Sequence, residues 1–413
     1  MNMSKEIEYA FLGGIFPKDL QSEVKEKSIG NIQYAANTLQ WNLINGIESN
    51  ISGPIKLFNR MFIGSFPNKY KDFYIKTKVF SHEEGACDIN IGFINVLFIK
   101  QLLIPKVANK YLLDWINDNN DKKKVLFVYS SNFLESITFV KKIDSSVHIC
   151  LILPDLPSFM NMDKSNSILY KCLNRSNQKA LLNNIRYIDS FVILTDQMAE
   201  VLSIKNKKPH VVIEGMVSDS NSDINQNDND IKVNTICYTG TLTKKYGIMD
   251  LVKAFRLIEN EEYRLVICGS GEAEAEIKKI ALNDPRIEYK GIIPREEAIK
   301  IQKNSTVLVN PRKNNEIYTK YSFPSKIMEY MIAGRPIVCY KLDGMPDEYD
   351  DFLNYVHDNS IESLKNKLVE VVSMKQEELI NQGIKNRNFV LENKNNNIQA
   401  KKILQMIDTT LIK

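Results

Sequence analysis

Short apolar runs alternate with amphipathic stretches along most of this chain, the rhythm of strands interleaved with helices. In the first half, residues 8–12 form a strand pattern that runs into Gly13 and Gly14, and residues 31–47 have the spacing of an amphipathic helix. Residues 124–129, 147–153 and 190–194 are near-continuous apolar runs of strand length, the last leading into a helix opened by Thr195 and Asp196. Residues 211–213 close this half. The second half restarts the alternation, with strands at 235–238, 264–268, 287–289 and 306–309 and helices at 248–258, 272–283 and 295–302. Between the halves, residues 217–232 are polar and nearly free of hydrophobes, too poor in apolar surface to pack. Residues 385–413 have a helical pattern, interrupted by the polar run 392–397. The whole predicts α/β layers with largely parallel sheets in two Rossmann-like halves.

Length and composition agree with that division. The 413 residues exceed one ordinary core, and 44% hydrophobic with 25% charged residues is a globular balance. A net charge of +4 admits an anionic ligand and gives no indication of nucleic acid. The six cysteines show no C-x-x-C spacing, and several sit inside apolar runs as small hydrophobes, which fits a reducing cytoplasm. Residues 1–8 are polar and carry no secretory pattern. The most apolar helical stretch, 91–104, contains Lys100 and Gln101 and ends at Pro105, too short and too polar to span a bilayer. His82, His148, His210 and His357 are isolated in the sequence, so no metal site is expected.

The densest chemistry lies in residues 322–338, Ser-Phe-Pro-Ser-Lys-Ile-Met-Glu-Tyr-Met-Ile-Ala-Gly-Arg-Pro-Ile-Val. Pro324 and Ser325 suit the first positions of a helix, with Ser325 as a cap, while Gly334 stops it and Pro336 opens a strand. Lys326 falls in the first turn, where the helix dipole favours anions, so a cation there makes most sense beside a bound phosphate. Glu329 is one turn on and faces the same side. The bland alternative is a surface ion pair worth roughly 0.2–0.5 kcal/mol.

Pro-Ser-Lys-x-x-Glu-Tyr-x-x-x-Gly-x-Pro-Ile resembles the donor-site motif of GT-B glycosyltransferases of family 4, in particular the branch that builds bacterial cell-surface polysaccharides. The resemblance implies the GT-B fold: two Rossmann-like domains with a donor and acceptor cleft between them. It implies that Lys326 binds the diphosphate of a nucleotide sugar and Glu329 the ribose hydroxyls, with Tyr321, Ser322, Phe323, Pro324 and Ser325 around them. It divides the chain into an acceptor domain (1–216, rejoined by a last helix from about 397 to 413), a linker (217–231) and a nucleotide-sugar domain (232–396).

Other segments carry the resemblance less evenly. Thr239-Gly240-Thr241-Leu-Thr-Lys244-Lys245-Tyr-Gly247 follows a strand, where small residues let backbone amides approach a ligand. It resembles the family's phosphate loop, with Thr241 in place of the Arg and Tyr246 in place of the Lys, which leaves Lys244 or Lys245 as substitutes. Cys268-Gly269-Ser270-Gly271 resembles a glycine turn at a helix start, and Ile292 and Ile293 stand where the family frames the nucleotide base. Arg312 is a bidentate phosphate candidate or a solvated cation. Tyr321 occupies the position of the family's sugar-contacting Glu. In the first half, Gly13-Gly14 matches a glycine loop near the donor phosphates. Asp155, between two prolines at a strand end, is either a turn cap or a catalytic group that orients the acceptor.

Residues 66–80 interleave aromatics with Lys69, Lys71, Lys76 and Lys78, which suits either an anionic membrane surface or a solvated hairpin. The resemblance implies a retaining hexosyltransferase-type enzyme. It would move a sugar from a nucleoside diphosphate to a saccharide or lipid-linked saccharide in cell-surface polysaccharide assembly, with no cofactor and no metal. The expected location is the cytoplasm, at the inner face of the membrane if 66–80 makes contact. The rivals are a GT-B nucleotide-sugar epimerase and a non-catalytic GT-B partner of another transferase.

Overall fold

Near-continuous apolar runs form strands covered on both faces, and here they build parallel sheets. The computed structural model describes residues 6–30, 32–118, 121–157, 168–218 and 232–412. The chain divides into two units, Met1–Ile213 with Asn396–Lys413, and Glu214–Asn395. The stretch 219–231 of the predicted linker lies outside the described residues.

The first unit contains β1 (Ile7–Gly13), β2 (Lys56–Asn59), β3 (Tyr74–Ile75), β4 (Lys78–Phe80), β5 (Asp88–Asn90), β6 (Phe93–Ile94), β7 (Lys123–Tyr129), β8 (His148–Leu153), β9 (Ser190–Ile193) and β10 (His210–Val212). Eight of them pair in the order β10-β9-β8-β7-β1-β2-β5-β4, while β3 and β6 form a separate antiparallel pair. Every pairing in the large sheet is parallel except β4 with β5. All six residues of β8 are buried, which is why its sequence shows no polar alternation. The unit's helices are α1 (Gln21–Lys27), α2 (Tyr34–Glu48), α3 (Leu97–Asn117), α4 (Leu134–Ile143), α5 (Ile168–Asn184) and α6 (Asp196–Val201).

Three expectations change here. Residues 91–104 are not one helix: β6 occupies 93–94, and α3 starts at Leu97 and continues through Pro105 to Asn117. Its second half buries Ala108, Leu112, Trp115 and Ile116, and that packing outweighs the backbone bond lost at the proline. Residues 66–80 are not a hairpin, because β3 pairs with β6 and β4 with β5. Tyr70 and Ile75 are buried in a cluster with Phe16, Val24 and Met61, while Phe73, Tyr74 and Val79 are exposed. His82 is also not isolated: its Nδ1 lies 2.6 Å from Asp88 and its Nε2 2.8 Å from Glu48.

The second unit contains β11 (Lys232–Thr239), β12 (Arg264–Cys268), β13 (Ile287–Gly291), β14 (Ser305–Asn310), β15 (Ile337–Cys339) and β16 (Asn354–Tyr355), all parallel in the order β13-β12-β11-β14-β15-β16. Its helices are α7 (Ile248–Arg256), α8 (Glu274–Ala281), α9 (Arg295–Asn304), α10 (Lys326–Ala333), α11 (Ile361–Val372) and α12 (Gln376–Asn393). The strand order reverses between β11 and β14, the topological position where open α/β sheets bind ligands.

The polar interruption near the end of the chain is a break between α12 and α13 (Asn396–Leu411). At the break, Lys394 accepts the Val217 amide on its carbonyl at 2.9 Å and buries its ammonium 2.5 Å from both Glu214 and Glu348. Tyr349 donates its hydroxyl to Glu214 at 2.6 Å. Beyond the break, α13 packs on α2 in the first unit, where Asn50 donates to the Asn397 carbonyl at 3.1 Å. A Cβ on Gly46 would lie 2.2 Å from the Asn396 carbonyl oxygen, so only glycine permits this approach.

Candidate functional site

In the second unit, the loops after β11, β12, β13 and β14 gather at the C-terminal edge of the sheet. Gly240 donates its amide to the Cys268 carbonyl at 3.0 Å, and Gly269 donates to the Gly291 carbonyl at 2.7 Å. Gly269 has φ of +132°, and a Cβ there would meet the Gly240 carbonyl oxygen at 1.8 Å. Glycine is thus required for the first three loops to meet. Ile292, just past β13, is 79% exposed, an apolar surface available to a flat ligand. Ile293 is half-buried beside it.

Helix α10 starts at Lys326, one residue after Ser325. Ser325 has helical dihedrals and makes no side-chain cap, so the expected serine cap is not formed. Pro324 holds the turn instead, its carbonyl accepting the Ile327 amide at 2.8 Å. Phe323 is buried, with its ring 5.1 Å from that of Tyr349. Ile327, Met328, Tyr330 and Met331 form the buried face of the helix and leave Lys326 and Glu329 on the side still reached by solvent.

Lys326 donates to both carboxylate oxygens of Glu329, at 2.9 and 3.0 Å. Glu329 is held in turn by Gln302 of α9, which donates to it at 2.5 Å and to the Thr239 hydroxyl at 2.7 Å. The fully buried Tyr330 hydroxyl accepts the Thr239 amide at 2.9 Å and donates to the Thr239 carbonyl at 3.1 Å. The end of β11 and the start of α10 are therefore joined through Thr239. Gln302 and Tyr330 are the members of this hydrogen-bonded cluster that sequence reasoning did not single out. A lone Gln in a charged helix carries no signal, whereas the Tyr after Glu329 was part of the recognised motif.

A second group of cations lies on the loops after β11 and β14. Arg312 donates Nη2 to Ser322 Oγ at 2.9 Å, and its guanidinium lies over the rings of Tyr318 at 4.6 Å and Tyr246 at 5.2 Å. The ammonium of Lys245 lies 4.2 Å from the centre of the Tyr318 ring. Lys244 turns away into an exposed ion pair with Glu276 at 2.8 Å. The geometry thus separates the two lysines: Lys245 joins Arg312, and Lys244 does not. Thr241 accepts the Tyr238 hydroxyl on its carbonyl at 2.8 Å. Tyr321 is half-buried at the end of the same loop.

In the first unit, Gly13 ends β1, and Gly14 donates its amide to Gln40 of α2 at 2.7 Å. The amide of Gly14 is therefore engaged within the unit. Asp155 is exposed past the end of β8 and raises the pKa of Tyr129 at the end of β7, as a second cause after that ring's own burial. Tyr129 packs against Phe62 at 6.1 Å, so Asp155 and the Gly14 loop share the C-terminal edge of one sheet. Among the described residues, no helix is long and apolar enough to cross a membrane.

Comparison with known proteins accords with this geometry. Residues 219–388 match the family model "Glycosyl transferases group 1". No curated protein matches the chain in sequence. Among solved structures, the chain is similar to a UDP-forming alpha,alpha-trehalose-phosphate synthase from Burkholderia xenovorans, at 9% identity over 97% of this chain and 100% of that one, with a TM-score of 0.68. It is also similar to the E. coli enzyme bound with UDP-2-fluoro glucose, at 10% identity over 97% and 99% of the chains and a TM-score of 0.64. A third likeness is to S. aureus TarM in complex with UDP, at 15% identity over 85% and 68% of the chains and a TM-score of 0.53. The chain has the GT-B glycosyltransferase fold, and its second unit carries the match to the group 1 glycosyl transferases.

Proposed function

We propose that this protein is a nucleotide-sugar-dependent glycosyltransferase of hexosyltransferase type. It transfers a sugar, with retention of anomeric configuration, to a saccharide or lipid-linked saccharide acceptor in cell-surface polysaccharide assembly. The observation that carries the reading is the placement of Lys326 and Glu329 at the start of α10, beside the strand-order reversal and within the segment that matches the group 1 family. Retention is supported by the trehalose-6-phosphate synthase described as transferring with retention, which shares the fold at 10% identity over 97% of this chain and a TM-score of 0.66. The acceptor class rests on the resemblance of the 322–338 motif.

In this reading Lys326 binds the donor diphosphate, and the helix dipole behind it adds to the stabilisation of the departing charge. Glu329 accepts hydrogen bonds from the ribose hydroxyls, and Gln302 fixes its rotamer. Lys245 and Arg312 supply further positive charge along the diphosphate, while Ile292 and Ile293 cover the base. Breaking the sugar–phosphate bond leaves oxocarbenium-like charge on the sugar, and the acceptor hydroxyl attacks on the face the diphosphate leaves. Its proton passes to the departing phosphate, and Asp155 orients the acceptor. Metal is not required, because lysine, arginine and helix dipole perform the electrostatic work.

Thermal unfolding with UDP, GDP, CDP, ADP and TDP tests this. One nucleotide at 100 times its Kd is expected to stabilise the protein by about 2.7 kcal/mol, with the shift cut to about half or less in Lys326→Ala and Glu329→Ala. No shift with any of the five would favour a non-catalytic partner.

A further inference from the structure

Two cations at the C-terminal edge of the first unit's sheet have no carboxylate against them among the described residues. Arg60 directly follows β2, and its amide donates to the Gly13 carbonyl at 2.8 Å. Only 5% of Arg60 is exposed, its guanidinium lies 4.6 Å from the centre of the Phe93 ring, and among the described residues its Nε has no hydrogen-bond partner. Lys100, in the first turn of α3, donates among the described residues to neutral oxygens, the Ile63 carbonyl at 2.9 Å and Asn95 Oδ1 at 3.4 Å. Burial holds Arg60 down at about 9, and burial followed by the charge of Arg60 holds Lys100 down at about 8.

Three of the other buried cations have several carbonyls or a carboxylate against them. Lys124 is surrounded by the carbonyls of Trp115, Ile116 and Asp118 at 2.7, 2.7 and 2.6 Å. Arg286 meets Asp284 at 2.9 Å, and Lys394 meets two carboxylates. Two neighbouring like charges withdrawn from water without an opposite charge are strongly unfavourable, so a bound anion between them would stabilise the fold. A planar guanidinium with a free edge beside an ammonium suits a phosphoryl group, which takes forked hydrogen bonds from one and point charge from the other.

We propose that Arg60 and Lys100 form an anion subsite for a phosphoryl group carried by the acceptor. Naming the acceptor as the source rests on the transferase reading; the anion site itself does not. Inorganic phosphate and the donor's diphosphate share the same chemistry, so the test separates the sources.

Thermal unfolding of the full chain is followed against inorganic phosphate, with chloride keeping the ionic strength constant, with and without a saturating nucleoside diphosphate from the panel above. The expected result is a saturable rise of a few degrees that persists with nucleotide bound. Arg60→Met and Lys100→Met each lose it, and Lys326→Ala retains it. Arg60→Met is also expected to melt no lower than the parent without phosphate, since it removes an unmatched buried charge; if it fails to fold, Lys100→Met carries the test. The proposal is overturned by a wild-type protein with no saturable rise, or by a rise that survives both substitutions. A rise abolished by the nucleoside diphosphate would assign Arg60 to the donor and remove the acceptor. A phosphate rise without nucleotide binding would sink the transferase reading and leave the anion site standing; nucleotide binding without the phosphate rise would do the reverse.

Discussion

Glu329 is held from two sides, by Lys326 at 2.9 Å along α10 and by Gln302 at 2.5 Å from α9. The Lys326 and Glu329 side chains keep 38% and 31% of their surface exposed, so their pairing contributes only about 0.3–0.5 kcal/mol to folding. Lys326→Ala is therefore expected to leave the denaturant midpoint nearly unchanged. Its nucleoside-diphosphate Kd should rise about ten- to a hundredfold, the equivalent of one lost charge-assisted hydrogen bond. Calorimetric titration beside urea unfolding separates the two effects. A variant that binds nucleotide as tightly as the parent would show that the pair is only a surface ion pair.

Gln302 touches Glu329 and is itself fully buried, so it positions that carboxylate. Gln302→Leu should raise the KM for the nucleotide sugar several-fold while kcat changes little, because ribose contacts are made in ground and transition states alike. Gln302→Glu is expected to be worse, since it places a second carboxylate against Glu329. Equal losses in kcat and KM for both variants would point to general misfolding of the site.

Tyr330→Phe removes one oxygen from a buried site and leaves the Thr239 amide and carbonyl without that partner. The expected destabilisation is about 1–3 kcal/mol. Guanidinium unfolding measures it directly, and a loss well below that range would mean that Thr239 finds other partners.

The buried pair of Lys394 and Glu214 gives a larger effect, because both side chains are only 2% exposed. Lys394→Met strands a carboxylate away from water and is expected to destabilise the second unit by about 3–5 kcal/mol. The double variant Lys394→Met with Glu214→Leu should recover much of that. A single variant as stable as the parent would indicate that Glu214 takes up a proton.

His82 gives the pH dependence. Burial opposes its charge, but hydrogen bonds to Asp88 and Glu48 outweigh burial and raise its pKa to about 9. A pKa raised in the folded state contributes stability that is fully present below the unfolded value of about 6.5 and is lost as pH rises through the folded value. The parent's stability relative to His82→Gln should therefore fall between about pH 6.5 and 9. A difference that stays flat across that window would mean the ring is neutral in the folded protein.

The two Rossmann-like rhythms were legible because parallel strands covered on both faces leave uninterrupted apolar runs such as 148–153. The two-residue strands β3 and β6 were not, since so few residues hold no periodicity. The extent of α3 was hidden by Pro105, whose local preference tertiary packing overrides. At the site, Lys326 and Glu329 were visible through their helical spacing. Lys244 and Lys245 could not be told apart, because only Tyr318 and Glu276, distant in sequence, separate them. Arg60 carried a signal of its own: it is the single charged residue in the run 57–63.

The return of α13 to α2 has a consequence for how the protein is made. The hydrogen bond between Asn50 and Asn397 spans 347 positions, so the second unit is an insertion within the first. A chain emerging from the ribosome presents α2 long before its cover exists. The face around Ile44, Gly46 and Ile47 must wait through the synthesis of the entire second unit before it is closed. Although its sheet is encoded first, the N-terminal unit completes its core last.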